Sequence, residues 1–126
     1  MRLLVSVLLL LVGLIHLLPL PGLLGSERLA ALYGLDFGDP NLALLMRHRA
    51  VLFGLLGSGC VIAAFRPSWQ GVMLAAAAIS AGSFLLLALA GGGYNAAIAR
   101  VVTVDAIAVG AIVIAAVLRQ LDRRRR

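Results

Sequence analysis

Four long apolar segments, separated by short polar connections, constrain this chain more than any other feature. They cover residues 3–18, 41–65, 69–90 and 96–118. Each is close to the roughly 20 mostly apolar residues that a helix needs to cross a bilayer. Of the 126 residues 63% are hydrophobic and only 13% are charged, whereas about a quarter of a soluble domain is charged. We therefore expect an all-α membrane protein, a single four-transmembrane-helix bundle over residues 1–126.

Local signals predict where these helices begin and end. Pro19 should end the first helix, because a proline cannot continue the hydrogen-bonded ladder. Asp39 followed by Pro40 is typical of a helix start and should open the second helix, which Arg66 and Pro67 should end. Ser68 and Asn95 are residue types that cap helix amino termini, so we expect them to open the third and fourth helices.

A short segment between the first two long helices has its own helical signals. Residues 27–33 follow Ser26, a suitable cap, and precede Gly34, a residue suited to closing a helix. Leu29, Leu32 and Tyr33 would share one face of this helix. The segment is thus predicted to be an amphipathic helix lying at the membrane interface, with a plain ordered loop as the alternative.

The arginines predict the orientation of the bundle. Five of the 11 basic residues lie in the tail 119–126, directly after an apolar segment. Such a tail is typical of a cytoplasmic flank that contacts anionic lipids rather than of a nucleic-acid-binding protein. We expect a multi-pass protein of the bacterial inner membrane with both termini cytoplasmic, membrane lipids as partners and no nucleic acid.

Ionisable groups inside the apolar segments indicate a polar layer. At a rise of about 1.5 Å per residue, His16 and Asp105 lie roughly 21 Å from the basic ends of their helices, and Arg49 roughly 25 Å. These depths coincide in the periplasmic half of the membrane. The neighbours of Arg49 in the sequence, and three residues slightly closer to the periplasmic surface, complete the set. The candidate ligand-binding residues are His16, Arg47, His48, Arg49, Tyr94, Asn95, Arg100 and Asp105.

This layer permits several functions. It could form a pocket that binds a small anionic or lipid-like ligand through arginine side chains. It could instead be a structural ion-pair network in which Asp105 pairs with Arg49 or Arg47 and only fixes helix packing. His16 and His48 could hold haem or a metal across the bundle, although no spacing requires a metal site. Asp105 with either histidine could act in catalysis, but no nucleophile accompanies them, so enzymatic activity, catalytic residues and cofactor are left open.

Small residues four apart indicate close helix packing. Such pairs let helix backbones approach each other where lipid provides no hydrophobic driving force. They would serve either the bundle itself, a homo-oligomer, or contact with a partner of which this chain is an accessory subunit. The pairs are Gly54 with Ser58, Ala78 with Gly82, and Ala106 with Gly110.

Short motifs lie at 27–34, 39–41, 46–49 and 92–96. They resemble motifs of a group of small four-span bacterial membrane proteins, some of which carry the label phosphopantetheine adenylyltransferase. The resemblance implies the four-span architecture and assigns no catalytic role. The soluble enzyme of that name uses a His-x-Gly-His motif, which neither His16 nor His48 begins here, so that activity is not expected.

Overall fold

Five α-helices and one 3-10 helix make up the computed structural model, which describes residues 1–125. Arg126, the last residue of the predicted basic tail 119–126, lies outside the described residues. The preceding part of that tail continues the last helix as far as Arg124. The elements are α1 (Arg2–Leu17), the 3-10 helix (Leu20–Leu24), α2 (Ser26–Tyr33), α3 (Pro40–Phe65), α4 (Gln70–Gly91) and α5 (Ala96–Arg124).

Four helical segments among the described residues are long and apolar enough to cross a membrane. They are α1 together with the 3-10 helix, α3, α4 and α5, with lengths of 23, 26, 22 and 29 residues. The all-α class and the four candidate spans predicted from the sequence are therefore confirmed. Short connections at 66–69 and 92–95 make α4 run antiparallel to both α3 and α5.

The long helices form a ring in the order α1, α3, α4, α5. Helix α1 packs on α3 and α5, and α4 packs on the same two helices from the other side. Residues from all four helices form the main core, including the fully buried Leu9, Cys60, Ala77 and Ala115. One end of the bundle carries the starts of α1 and α4 and the ends of α3 and α5. We call this the basic end, and the opposite end the α2 end.

Glycines set the crossing of α1 and α3. A Cβ atom built on Gly13 would lie 2.9 Å from the Gly57 carbonyl oxygen, and one on Gly57 would lie 2.8 Å from the Gly13 carbonyl oxygen. The two backbones therefore touch where no larger residue fits. This contact was not predicted, because the sequence spacing within one helix does not show which glycine faces which.

The predicted small-residue pairs are not all at helix contacts. Gly54 does pack closely, since a Cβ there would lie 2.7 Å from a methyl group of Leu20. At Gly82 and Gly110 an added Cβ would meet nothing within 4 Å. The pairs on α4 and α5 thus face away from the bundle, so of the alternatives left open by the sequence only contact with a second copy or a partner applies to them.

The helix ends agree with most of the local signals. Asp39 accepts a hydrogen bond from the Asn41 backbone N–H at 2.8 Å, and Gly34 closes α2 with a φ of +65°. The prediction for Ser68 is wrong, because Trp69 rather than Ser68 occupies the N-cap position of α4. The 3-10 helix after Pro19 was not predicted, since a proline signals the end of a helix but not the conformation of the next residues.

Helix α2 lies across the α2 end and packs its apolar face on the bundle. Leu29 and Tyr33 are 1% and 5% exposed, and with Phe37 they form a second core against Ile98 and Val101 of α5. A helix at the predicted place is therefore confirmed, but the prediction of Ser26 as its cap is wrong, because Ser26 is the first residue of α2 and Gly25 occupies the N-cap position. The apolar face is covered by protein, so any membrane contact of α2 must use its other faces.

Substituting Gly57 tests the α1–α3 crossing. We expect Gly57→Ala to lower the thermal unfolding midpoint in mild detergent, because the added methyl group overpacks the crossing at a cost of about 1–3 kcal/mol. The matched control is Gly110→Ala, where the site is open and the better helix propensity of alanine should maintain or raise the midpoint. Equal midpoints for the two variants would contradict the close crossing.

Candidate functional site at the α2 end

An arginine surrounded by aromatic rings lies at the centre of the α2 end. The Arg49 guanidinium donates a hydrogen bond to the Tyr33 hydroxyl at 3.0 Å. Its central carbon lies 4.6 Å from the ring centre of Phe53, 5.6 Å from that of Tyr33 and 6.0 Å from that of Phe84. These distances are typical of cation–π contacts. Residues of α2, α3 and α4 thus converge on one positive charge.

Asp105 lies near this cluster without pairing with it. Arg49 and His16 are within electrostatic range of its carboxylate. Among residues 1–125, however, no basic nitrogen lies within 4.0 Å of it and no hydrogen bond reaches it. The expected ion pair with Arg49 or Arg47 is therefore wrong, because the guanidinium of Arg49 is held by aromatic rings instead. The carboxylate is partly exposed and lies in an open cleft.

His16 is satisfied by its own helix. It is 2% exposed, and its Nδ1 lies 2.9 Å from the Val12 carbonyl oxygen. A carbonyl can only accept, so Nδ1 carries the proton, and Nε2 is the nitrogen that a neutral ring leaves as acceptor. The ring centre lies 5.9 Å from that of Phe53. Asp105 and His16 are thus neighbours without a hydrogen bond, which is not the contact of a catalytic carboxylate–histidine pair.

A cleft of about 300 Å³ opens between α1, α2 and α5 at this end. Its walls are largely apolar, and Asp105 and Arg100 are the only charged residues among those that form it. Tyr33 connects the cleft to the arginine cluster, because it lines the cleft and its hydroxyl accepts a hydrogen bond from Arg49. The other lining residues are Ile15, Leu18, Pro19, Ala31, Leu32, Ala97, Val101 and Val104.

Three of the predicted site residues lie elsewhere. The Nε of Arg47 donates to the Leu23 carbonyl oxygen at 3.0 Å, which fastens the 3-10 helix to α3. His48 and Tyr94 are exposed and line no part of the cleft. The three consecutive basic residues fan around α3 at about 100° per residue, so they do not converge on one ligand.

Asn95 has a structural position. Its side-chain oxygen accepts from the Ile98 backbone N–H at 2.8 Å, which caps α5 as predicted. Its amide nitrogen donates to the carbonyl oxygens of Tyr33 at 2.9 Å and Gly34 at 3.3 Å. One side chain therefore joins the end of α2 to the start of α5. Because both of its polar atoms are already hydrogen-bonded, the structure does not support Asn95 as a ligand-binding residue.

The two histidines do not share an environment. His16 is buried in the bundle, whereas His48 is exposed on α3. Within the part of the chain that the structure describes, no three histidine, cysteine or acidic side chains are grouped so that they could hold a metal ion. The geometry therefore gives no support to the haem or metal alternative.

The sequence did not single out Tyr33 as a site residue. It was assigned to the apolar face of α2, and its burial confirms that assignment. The sequence could have indicated only that its hydroxyl needs a hydrogen-bond partner, because buried tyrosine hydroxyls usually have one. Identifying Arg49 as that partner requires the fold, which brings together residues 16 positions apart on different helices.

Fold and site together define a small helical bundle with four helices apolar enough to cross a membrane and a cleft at one end. In comparisons with known proteins, no family model matches the chain, and neither a curated protein nor a solved structure is similar to it. The resemblance to small four-span bacterial proteins therefore stays a prediction.

Removing the Asn95 side chain tests its structural role. We expect Asn95→Ala to lower stability by about 1–2 kcal/mol, because it deletes an N-cap and the bonds that hold α2. The neighbouring Tyr94→Ala, which removes a side chain that is 41% exposed, should leave the unfolding midpoint unchanged. Thermal unfolding in mild detergent measures both. A wild-type midpoint for Asn95→Ala would show that these bonds do not hold α2.

Proposed function

We propose that this chain is a multi-pass protein of the bacterial inner membrane that binds a small, amphipathic, lipid-like ligand in the cleft at the α2 end. The observation that carries the proposal is the Asp105 carboxylate, which has no hydrogen-bond or ion-pair partner within residues 1–125 and opens onto a cleft with largely apolar walls. Ionisable groups within apolar helices are costly and commonly mark functional sites.

The chemistry of the cleft suggests which kind of molecule fits. The apolar walls favour a hydrocarbon portion, and Arg100 suits an anionic group such as a phosphate or carboxylate. Asp105 lies about 7.5 Å further along α5 and suits a hydroxyl or amine donor. The cleft volume of about 300 Å³ matches a small ligand, or part of a larger lipid.

The membrane placement rests on two further features. Leu24 and Leu35 flank α2 and are 74% and 52% exposed, which suits contact with the bilayer interface and supports an interfacial position for α2. Five described arginines lie at the basic end, namely Arg2, Arg66, Arg119, Arg123 and Arg124. By the positive-inside tendency, this end and both termini face the cytoplasm.

A structural or accessory role is the second candidate. The outward faces of α4 and α5 at Gly82 and Gly110 leave open space that another helix backbone could approach. In that case the chain would act through a partner or a second copy, and the cleft would be incidental.

Native mass spectrometry of the protein released in mild detergent tests the ligand proposal. We expect the wild-type chain to carry a reproducible added mass that Asp105→Asn and Arg100→Gln both lose, since each removes one of the two charges in the cleft. The matched control is Arg28→Gln, which removes an exposed arginine of α2 outside the cleft and should retain the mass.

Other outcomes separate the candidates. The ligand proposal would be contradicted if the wild-type protein carried no added mass, or if both cleft variants retained the added mass. A bare dimer or a complex with another protein would favour the accessory role. Circular dichroism of each variant shows whether a lost mass reflects lost folding.

A further inference from the structure

The basic end holds a second cleft, separate from the cleft at the α2 end and of about 640 Å³. It lies where the start of α4 meets the start of α1 and the end of α5. Arg2, Arg119 and Arg123 line it together with Gln70 and Asp122. Three arginines against one carboxylate make this cleft positively charged.

Gln70 is the unusual residue of this cleft. It is the first residue of α4 and only 7% exposed, yet it lines the cleft and makes no hydrogen bond through its side chain within residues 1–125. Its polar atoms are open to the cleft, since no fully buried side-chain nitrogen or oxygen among residues 1–125 lacks a hydrogen-bond partner. The amide is therefore available to a molecule that enters the cleft.

Arg119 lies directly beside Gln70. A Cβ atom built on Gly71 would lie 3.1 Å from both terminal nitrogens of the Arg119 guanidinium, so the guanidinium lies against the first turn of α4. In the described part of the chain it has neither an ion-pair nor a hydrogen-bond partner. A side chain at position 71 would require the guanidinium to shift by a few tenths of an ångström.

The start of α4 adds hydrogen-bond donors to the same place. No side chain caps this helix, so backbone N–H groups of its first turn lack side-chain acceptors. The amino terminus of a long helix also carries a partial positive charge that favours anions. The Asp122 carboxylate lies 3.5 Å from Nε of Arg2. This one negative charge is fewer than the three positive charges of the arginines that line the cleft.

We propose that Arg119, Gln70 and the amino terminus of α4 form a binding site for a phosphate group, carried either by an anionic lipid headgroup or by a soluble phosphate. The planar guanidinium donates in parallel to two phosphate oxygens. The Gln70 amide and the first-turn N–H groups donate to the others. The site is independent of the ligand proposed for the α2 end.

Fluorescence of Trp69 tests this site, because it is the only tryptophan in the chain and it directly precedes Gln70. The full chain in neutral detergent is titrated with short-chain phosphatidylglycerol, with phosphatidylcholine of the same chain length, and with inorganic phosphate. We expect a saturable change. Arg119→Gln and Gln70→Leu should each weaken it roughly tenfold, about the effect of one lost hydrogen bond to an anion.

The control variant is Arg124→Gln, which removes the same charge from the same helix but lies outside the cleft. It should bind like the wild type. Saturation with phosphatidylglycerol alone would identify a lipid headgroup, and saturation with inorganic phosphate would identify a soluble ligand. Equal weakening by Arg124→Gln and Arg119→Gln would show diffuse attraction to the arginine-rich tail and overturn the proposal. So would the absence of a saturable response, or an unchanged affinity in Gln70→Leu, which alters no charge.

Discussion

The α2 end of this bundle depends on how one positive charge, the Arg49 guanidinium, is held among apolar helices. An arginine near the middle of such a helix costs about 2.5–3.5 kcal/mol on insertion into a membrane. Three aromatic rings and the Tyr33 hydroxyl surround the charge here, and each cation–π contact offsets about 0.5–2 kcal/mol. Because the rings come from α2, α3 and α4, satisfying this charge also joins three helices.

The same arrangement leaves the carboxylate of Asp105 available. If the guanidinium of Arg49 turned towards Asp105, the two charges would neutralise each other and the cleft would contain little polar chemistry besides Arg100. Instead Tyr33 holds the guanidinium on one side and forms part of the cleft wall on the other. Helix α2 is thus more than a connection, because it positions the cation and covers the cleft in which the carboxylate lies.

The sequence predicts those features that depend on rules within one helix. Asp39 caps α3 as expected, and the rise per residue correctly places His16, Arg49 and Asp105 close enough to interact. Their pairing could not be predicted, because it depends on how each helix is rotated against neighbours far away in the chain. The same limit explains why Tyr33 was missed and why the outward direction of the small-residue faces on α4 and α5 was not foreseen.

Water access to position 105 tests most directly whether the cleft is open. In a Cys60→Ala background, which removes the buried natural thiol, Asp105→Cys and Ser83→Cys are placed separately in lipid nanodiscs and treated with a water-soluble maleimide. Ser83 lies at a similar predicted depth but on an outward, exposed face of α4, where lipid would exclude the reagent. We predict rapid labelling at position 105 and slow labelling at position 83. Slow labelling at both positions would contradict an open cleft around Asp105.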